Sequence, residues 1–455
     1  MNLEEAIKRA VELFLEEIEK DKFIEIVSHF DTDGVTAAAI MTQTLKRLDK
    51  KFRINIVKQL DNEYIDELKK RNIDMLMFLD LGSAFIDSLK DIQCPIFILD
   101  HHEMHSIAES DMPSQIVLVN SSNFDEELSG AGVSYLFAKS INEKNKDLAK
   151  LAVLGMVGDM IDQDINRFNN IILKDAEITI RKGPLIFSAT RSLHKALEFS
   201  SNVFIPQVTG SSKGVSDLLR EAEIKIKDNE RYRTLLDLSQ EEMSRLVTAI
   251  ILRRLKTDEN PESIIGNIYI LKFFNHQEDA RELSAVINSC GRLGHTDLAV
   301  AFCLECKKAK ESVEEVYNNY KHMIVTALNW INSNTKVSKI EGDGYLILNA
   351  KKIIDDSIIG TISSIISSSF MYPEGTIIVG LAQRSDKKIK CSMRLCGKKG
   401  ELNVYEFLGR VCEPLGIDYG GHPNAGGCLF TEDKEHDFIE AIEKELNIRR
   451  ISVKI

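Results

Sequence analysis

The sequence predicts an α/β protein with a doubly wound, mainly parallel sheet, a mostly helical insertion and a smaller C-terminal α/β domain. From residue 23 to about 185, short β-rich apolar segments alternate with helical segments. The strand segments are largely apolar along their length, as parallel strands covered on both faces are. Helical patterns then dominate to about residue 340, and the alternation returns from about 341. These shifts predict domains at 1–185, 186–340 and 341–455.

The composition is typical of a folded protein and limits the possible functions. Of the 455 residues, 44% are hydrophobic, and the formal net charge of -12 argues against a broadly basic nucleic-acid-coating surface. The N-terminal 20 residues have the spacing of an amphipathic helix, and no apolar run approaches the roughly 20 residues that span a bilayer. We therefore expect a cytoplasmic protein without a membrane partner.

The first domain has five predicted strands, and several of them end in a chemically reactive side chain. The helix predicted at 34–48 follows the first strand. Ligands of a doubly wound sheet gather at the carboxyl ends of its strands, so residues distant in sequence should converge there. The predicted strands cover residues 23–29, 52–58, 74–80, 94–100 and 115–120.

The segment after the first strand carries His29, Asp31 and Asp33 on alternate residues, followed by Gly34. On an extended backbone this spacing points the three side chains the same way, and Gly34 permits a sharp turn into the helix. Three convergent N and O ligands suit a divalent ion such as Mn²⁺ or Mg²⁺. The alternative is a polar loop in which Asp33 caps the helix.

Asp80 and the run Asp100-His101-His102 each follow an apolar strand. A carboxylate after five apolar residues should meet a cation, although Asp80 could instead cap a helix that begins near Ser83. Adjacent histidines on an extended backbone point in different directions, so one should bind metal while the other faces the substrate or supports a ligand. Two surface histidines in a loop, with His105 nearby, are the alternative.

Asp159 lies in an apolar helical segment whose small residues allow close approach to the sheet. A carboxylate inside such a helix is unusual unless it is paired. Asp162 and Asp164 are weaker candidates. Together with the strand-end residues, Asp159 completes a set that can supply two metal ions sharing one carboxylate, a centre able to activate water against a phosphodiester.

The C-terminal domain holds two further polar motifs. Ser392 and Arg394 lie on one face of a strand predicted at 388–396, where Arg394 could bind a phosphate bidentately. Glycines flank His422 in the segment 420–427, so that backbone N–H groups could approach an anion. A solvated edge strand and a plain tight loop are the respective alternatives. Helices are predicted at 357–370, 404–416 and 436–446, with a short strand closing the chain.

Eight cysteines are scattered along the chain, and Cys303 and Cys306 form the one Cys-x-x-Cys. A structural zinc site would need a second ligand pair at suitable spacing. The apolar setting favours buried thiols.

The ordered motifs His-x-Asp-x-Asp-Gly, Asp80, Asp-His-His, Asp159 and Gly-Gly-His-x-x-Ala-Gly-Gly resemble those of the DHH phosphoesterase superfamily with its associated C-terminal domain. The resemblance implies that His29 and Asp31 serve one ion, that Asp33, His101 and Asp159 serve the other, and that Asp80 bridges them. It also implies that His102 acts near the phosphate with Asp100 behind it. Ser392, Arg394, Gly421 and His422 would hold the nucleotide across an interdomain cleft. One departure is Gly426, where the family often has Ala.

The insertion and the segment 281–292 are similar to those of the archaeal RecJ-like nucleases. This implies a single-strand exonuclease that uses two divalent ions, Mn²⁺ favoured over Mg²⁺, and releases mononucleotides from DNA or RNA, with replication or repair proteins as possible partners. An oligoribonuclease or cyclic-dinucleotide phosphodiesterase is the first alternative. A non-catalytic replication scaffold is the second, disfavoured because every ligand position is filled. A manganese-dependent pyrophosphatase is disfavoured by chain length.

Overall fold

The computed structural model describes residues 2–104, 112–163, 165–186, 188–200, 203–255, 261–333, 339–369, 371–397 and 402–453. It divides into two compact units, Met1–Tyr317 and Asn318–Ile455. His105 and Asp164, two minor candidates from the sequence, lie outside the described residues. No helix within the described ranges is long and apolar enough to cross a membrane.

The first sheet confirms the predicted doubly wound α/β fold. Its five strands are all parallel and have the order β2-β1-β3-β4-β5. The chain leaves β1 in one direction to β2 and in the other to β3, so the switch point of the sheet lies between β1 and β3, where ligands bind in such folds. The strands are β1 (Ile24–His29), β2 (Phe52–Val57), β3 (Met75–Leu79), β4 (Ile96–Asp100) and β5 (Ile116–Asn120).

Helices cover both faces of this sheet, which is why β3, β4 and β5 are apolar along most of their length. In β3, Met77 faces the core formed with α1, α2, α5 and α6, whereas the neighbouring Phe78 faces the core formed with α3 and α4. The helices are α1 (Leu3–Ile18), α2 (Thr32–Arg47), α3 (Asn62–Lys69), α4 (Ile86–Leu89), α5 (Gly130–Ile141), α6 (Ala149–Gly158) and α7 (Arg167–Asp175).

The following region is mostly helical and contains the antiparallel sheet β10-β9-β6. Of these strands the sequence predicts one, at residues 266–273, which corresponds to β9; β6 is largely exposed and β10 is short. The elements are β6 (Thr179–Pro184), α8 (Leu193–Glu198), α9 (Ser212–Glu221), β7 (Lys227–Asp228), β8 (Arg231–Tyr232), α10 (Gln240–Arg254), β9 (Ile265–Phe273), β10 (His276–Asp279), α11 (Ala280–Arg292), α12 (Thr296–Cys303) and α13 (Lys307–Ser333).

This region contributes to two cores. Residues such as Leu197, Leu218 and Ile250 form a core of its own, whereas Tyr269 and Leu283 pack into the core of the first sheet. The predicted boundaries at 185 and 340 remain a prediction.

The C-terminal unit has a six-stranded sheet in the order β11-β12-β13-β14-β16-β15, parallel only between β12 and β13. The elements are β11 (Lys339–Gly342), β12 (Tyr345–Asn349), α14 (Asp356–Ser368), β13 (Ile377–Gln383), β14 (Lys388–Leu395), α15 (Val404–Cys412), β15 (Tyr419–His422), β16 (Ala425–Thr431) and α16 (Glu435–Val453).

Three sequence-based interpretations of this unit are wrong. The segment 388–396 is not an edge strand, because β14 lies between β13 and β16. The segment 420–427 is a hairpin of two paired strands and not a plain loop. The short strand predicted at the end of the chain is helix, since α16 continues to Val453. Extending an existing helix adds one hydrogen bond per residue, whereas a new strand needs a partner.

Candidate metal centre

The loop after β1 begins the metal centre, with a geometry that differs from the predicted extended one. His29 ends β1, and α2 already begins at Thr32, so Asp33 is helical. Asp31 is the N-cap of α2, and its carboxylate accepts a hydrogen bond of 3.1 Å from the Gly34 N–H. The alternative in which Asp33 caps this helix is therefore wrong, because the shorter loop places Asp31 at the cap.

Asp33 instead caps a different helix. Its buried carboxylate accepts hydrogen bonds from the N–H groups of Gly130 (2.5 Å) and Ala131 (3.0 Å), at the start of α5. A negative charge is stabilised at that end of a helix by the orphan N–H groups and the helix dipole. These contacts hold the Asp33 carboxylate at the start of α5.

Gly34 is needed for space and not for a sharp turn. A Cβ at this position would lie 2.4 Å from the carbonyl oxygen of His29. The close approach lets α2 start directly against the end of β1.

Asp80 follows β3 and is 2% exposed, with a left-handed backbone φ of 59°. It does not cap the helix near Ser83, because the Ser83 N–H donates to the carboxylate of Asp100 at 3.0 Å. The capping alternative for Asp80 is therefore wrong, and its carboxylate points to the other strand-end residues.

Asp100 is buried at the end of β4 and organises the two histidines that follow it. One carboxylate oxygen accepts hydrogen bonds from the His101 N–H and from the Nδ1 of His102, both at 2.8 Å. Because the carboxylate accepts a hydrogen bond from Nδ1 of His102, it orients the ring and leaves Nε2 facing away from Asp100. Asp100 is thus placed to support His102.

The two histidines take different positions. The Nε2 of His101 lies 3.2 Å from a carboxylate oxygen of Asp80 and 3.2 Å from one of Asp159. The ring of His102 is 55% exposed. Asp159 is the residue that directly follows α6, not a residue inside that helix. The position of Asp159 at the end of α6 places its carboxylate beside His101.

Two groups of ligand atoms emerge from this arrangement, and Asp80 belongs to both. One group is His29, Asp31 and Asp80, and the other is Asp33, Asp80, His101 and Asp159. A third possible group joins Asp80 to His101 and His102. The first two groups coincide with the ligand sets that the sequence resemblance implies. Their role as ligands remains a prediction.

The chemistry of the donor set fits divalent cations. One carboxylate oxygen of Asp80 and the Nε2 of His101 are buried and lie 3.2 Å apart, yet neither makes a hydrogen bond of acceptable geometry among the described residues. Buried polar atoms without partners are rare and costly, and a metal ion would satisfy both. No group of three or more such donors in the described ranges contains a cysteine, and Cys303 is buried while Cys306 is exposed.

The pKa values of these side chains are shifted because buried carboxylates lie close together and repel each other. Burial raises the pKa of Asp80 well above its usual range, and the negative charges of Asp33 and Asp31 add to that shift. Burial and the charges of Asp33 and Asp80 raise the pKa of Asp159 to about 10. Burial opposes the charged form of His29, but hydrogen bonds to Asp31 and Asp80 outweigh it and raise the pKa to about 11. A cation would relieve this repulsion.

Three family models match consecutive parts of the chain. The DHH family N-terminal domain matches residues 23–156, the DHH-CID domain residues 186–267, and the DHHA1 domain residues 342–447. The chain belongs to the DHH superfamily and is RecJ-like.

Two curated relatives and two solved structures extend this assignment. An uncharacterised protein of Methanocaldococcus jannaschii is 24% identical over 437 residues, 93% of each chain. The single-stranded-DNA-specific exonuclease RecJ of Bacillus subtilis is 25% identical over 177 residues, 35% of this DHH chain but 22% of RecJ. RecJ from Thermus thermophilus in complex with Mn²⁺ has a TM-score of 0.59 at 17% identity, covering 98% of this chain and 55% of that one. CDC45 from Entamoeba histolytica has a TM-score of 0.63 at 12% identity, covering 97% and 99%. The two structural likenesses show the fold.

The proposed substrate residues of this DHH chain lie within the C-terminal sheet. Ser392 and Arg394 are on β14, where Arg394 is paired in register with Ala425 of β16, and His422 of β15 is paired with the same residue. Ser392 is buried, and the Nε of Arg394 donates to Ser364 at 2.9 Å. His422 is exposed, and Gly421 has a φ of 148°. The two motifs therefore lie on strands that flank β16 on either side.

Two glycines of this DHH chain, Gly130 and Gly155, pack against proposed metal ligands, and the sequence did not identify them as functional residues. A Cβ on Gly130 would lie 2.6 Å from the Cβ of Asp80, and one on Gly155 would lie 2.2 Å from a carboxylate oxygen of Asp33. The small-residue run 129–132 and the glycine within α6 are the only sequence signals. They indicate close helix packing without saying which residue is approached.

Proposed function

We propose that this protein is a metal-dependent phosphodiesterase that removes mononucleotides from the ends of single-stranded DNA or RNA. The observation that carries the proposal is the position of Asp80 in two adjoining groups of metal-binding side chains. Two divalent ions in such a pair of sites, Mn²⁺ being favoured over Mg²⁺, polarise a phosphodiester and activate a water molecule when bound. The names of the RecJ relatives support single-stranded nucleic acid as the substrate.

The chain's own residues have separate tasks in this proposal. His29, Asp31, Asp33, Asp80, His101 and Asp159 hold the ions. Asp100 fixes the ring of His102, whose free Nε2 would contact the phosphate oxygen or the leaving oxygen. Ser392, Arg394, Gly421 and His422 bind the phosphate and sugar of the terminal nucleotide, with Arg394 supplying planar N–H groups.

A replication scaffold is a second candidate, because the CDC45 fold covers 97% of this chain. The two candidates differ in chemistry. A scaffold has no need of buried, unpartnered ligand atoms, and their presence at Asp80 and His101 favours the enzyme.

The test is the digestion of 5′-labelled and 3′-labelled DNA and RNA single strands with Mn²⁺, with Mg²⁺ and with EDTA. We expect metal-dependent release of mononucleotides from one end of a long strand. A strong preference for dinucleotides would indicate an oligoribonuclease instead, and hydrolysis of pyrophosphate would indicate a pyrophosphatase. If none of these substrates is hydrolysed, whether or not Mn²⁺ is added, the result would support the scaffold.

A further inference from the structure

The turn that carries Asp159 is attached to a strand far away in the sequence. We propose that Gln163 and Tyr269 are positioning residues, which hold the turn after α6 on strand β9 and so fix the Asp159 carboxylate at the metal centre. The inference rests on the proposed function in one respect, namely that Asp159 binds a metal ion.

Two sets of contacts hold the turn that carries Asp159, one from helix α6 and one from strand β9. The helix ends at Gly158, and Asp159 is tied to it through a backbone hydrogen bond of 3.0 Å from its N–H to Gly155. The next residue, Met160, is left-handed with a φ of 61° and is 83% exposed. A residue with a side chain is strained in that conformation, which persists where the surrounding structure enforces it. The N–H groups of Met160 and Ile161 donate to carbonyls of α6 at 3.3 and 3.1 Å, so the end of the helix itself supports this turn. Contacts at Asp162 and Gln163 add a second attachment, to strand β9.

Tyr269 provides the first of these contacts. Its hydroxyl donates to the backbone carbonyl of Asp162 and accepts a hydrogen bond of 3.2 Å from the Nδ2 of Asn267. The ring is 1% exposed and packs in the core of the first sheet. A buried carbonyl that loses its donor is costly, so this hydroxyl strongly favours one position of the backbone at Asp162.

Gln163 provides the second contact and binds β9 as a strand residue would. Its Oε1 accepts from the Asn267 N–H at 2.9 Å, and its Nε2 donates to the Asn267 carbonyl at 3.5 Å. A Cβ on Gly266 would lie 2.3 Å from that Oε1, so the glycine makes room for the amide. The turn is thus fastened at two successive residues.

Strand β9 is a firm base for this attachment. It is paired with β6 and β10, and its residues Tyr269, Leu271 and Phe273 are buried in the core of the first sheet. Of the two ligand groups, only that of Asp33, Asp80, His101 and Asp159 includes the attached carboxylate. Loss of the attachment should therefore affect one metal site and spare the site of His29 and Asp31.

The test is Mn²⁺ binding to the full chain by titration calorimetry, comparing Tyr269→Phe and Gln163→Ala with Tyr135→Phe. Tyr135 is a matched control, because it is buried and its hydroxyl bonds to Asp175 at 2.8 Å, away from the turn. Loss of a supporting partner weakens metal binding by about 10-fold or more. We expect that loss at one of two sites in both test variants and unchanged binding in the control.

A measurement on the metal-free protein distinguishes a local effect on the turn from a general loss of stability. Hydrogen exchange of the peptide covering 157–165 should be faster in the metal-free Tyr269→Phe and Gln163→Ala variants and unchanged in Tyr135→Phe. Wild-type Mn²⁺ affinities in both test variants, alongside weakened binding in Asp159→Asn, would overturn the positioning role while leaving the proposed metal centre intact. Unchanged binding in Asp159→Asn would overturn both. An equal loss in Tyr135→Phe would reduce the effect to general destabilisation and would also overturn the proposal.

Discussion

At the scale of the residue, Asp80 combines three unusual properties. Its backbone is left-handed, its carboxylate is 2% exposed, and one of its oxygens has no hydrogen-bond partner among the described residues. Asp and Asn are the residues with side chains that adopt the left-handed region most readily. The left-handed backbone therefore favours a short polar side chain, and we propose that the carboxylate is needed to bind a cation.

Replacing Asp80 by Asn should separate these demands. We expect Asp80→Asn to keep the fold and to raise the melting temperature of the metal-free protein, because the amide avoids the cost of burying an ionisable carboxyl group beside Asp33 and Asp31. The same change should weaken Mn²⁺ binding on the order of 100-fold or more, since a ligand matters at least as much as a supporting residue. Calorimetry and thermal unfolding in EDTA measure the two effects.

Asp87→Asn is the matched control, because Asp87 is an exposed carboxylate on α4. It should change neither quantity. Wild-type metal binding in Asp80→Asn would show that Asp80 is not a ligand.

The contact of Gly155 with Asp33 leads to a second prediction. Gly155→Ala would place a Cβ 2.2 Å from a carboxylate oxygen of Asp33, so Asp33 must move away from Gly130 and Ala131. We expect loss of Mn²⁺-dependent hydrolysis by at least about 10-fold, by analogy with the loss of other supporting contacts. Activity and Mn²⁺ affinity, measured together, check it.

Gly132→Ala is the control for helix propensity. Gly132 is also helical, but its Cβ would meet neighbours at 3.4 Å or more, which is ordinary contact. This variant should retain metal binding, and Ala should be tolerated there because it favours a helix over Gly. Equal activity in the two variants would contradict the close contact at Asp33.

Residue-level prediction succeeded where a strand end decides the position. His29, Asp80 and Asp100 lie at the carboxyl ends of apolar strands, so their convergence follows from the parallel sheet. The hydrogen bonds between Asp33 and the start of α5 join residues 97 and 98 positions apart. No local pattern encodes them, because they depend on how two helices pack.

At the scale of the element, α10 shows how a helix start is fixed. Ser239 caps the helix, Glu242 completes a capping box, and the guanidinium of Arg233 donates to Glu242 at 2.6 and 2.7 Å. The hydrogen bonds from Arg233 and from the Ser239 N–H lower the pKa of Glu242 from 4.5 to about 2. Glu242 is thus an ionised side chain whose hydrogen bonds, our anchor, hold the start of α10 to Arg233.

This anchor predicts a pH dependence. A carboxylate whose pKa is depressed on folding contributes stability above its unfolded pKa and loses that contribution as the pH falls through the folded value. Glu242→Gln should lower the free energy of unfolding by about 1 kcal/mol at pH 7, as other cap losses do. The difference from wild type should shrink between pH 4.5 and pH 2. Urea unfolding followed by helical circular dichroism at several pH values measures it.

Glu241→Gln provides the comparison, because Glu241 directly precedes Glu242 and is exposed. It should lower stability less at pH 7. A constant difference between wild type and Glu242→Gln across this pH range would contradict the assigned pKa shift.

Element prediction depended on partners as much as on pattern. The strands β3, β4 and β5 were identifiable because each is an apolar segment, and β1 and β2 because apolar residues recur along them. The exposed polar strand β6 has no such pattern, and it forms because β9 offers a complete set of backbone partners. The segment after residue 446, for which a short strand was predicted, is helical as far as Val453.

At the scale of the whole molecule, segments that are consecutive in the sequence belong to different hydrophobic cores. Residues after the inserted helices return to the first sheet, where Tyr269 and Leu283 complete its core. The composition shifts near residues 186 and 341 follow changes in secondary structure, and these changes do not reveal which core a helix joins. The segment from β9 to α11 therefore connects the insertion to the catalytic unit.

The last prediction concerns the division of labour between the two units. If the C-terminal unit only holds the nucleic-acid end, His422→Ala and Arg394→Gln should raise the KM for a single strand by about 10-fold, the lower range for loss of a charged or bidentate contact. Both should leave Mn²⁺ affinity unchanged, because every proposed ligand lies in the first unit. Hydrolysis of a small diester without a nucleotide should also be unaffected. His436→Ala, which changes another exposed histidine of the same unit, is the control. Equal losses on the strand and on the small diester would show that these residues take part in the chemical step itself.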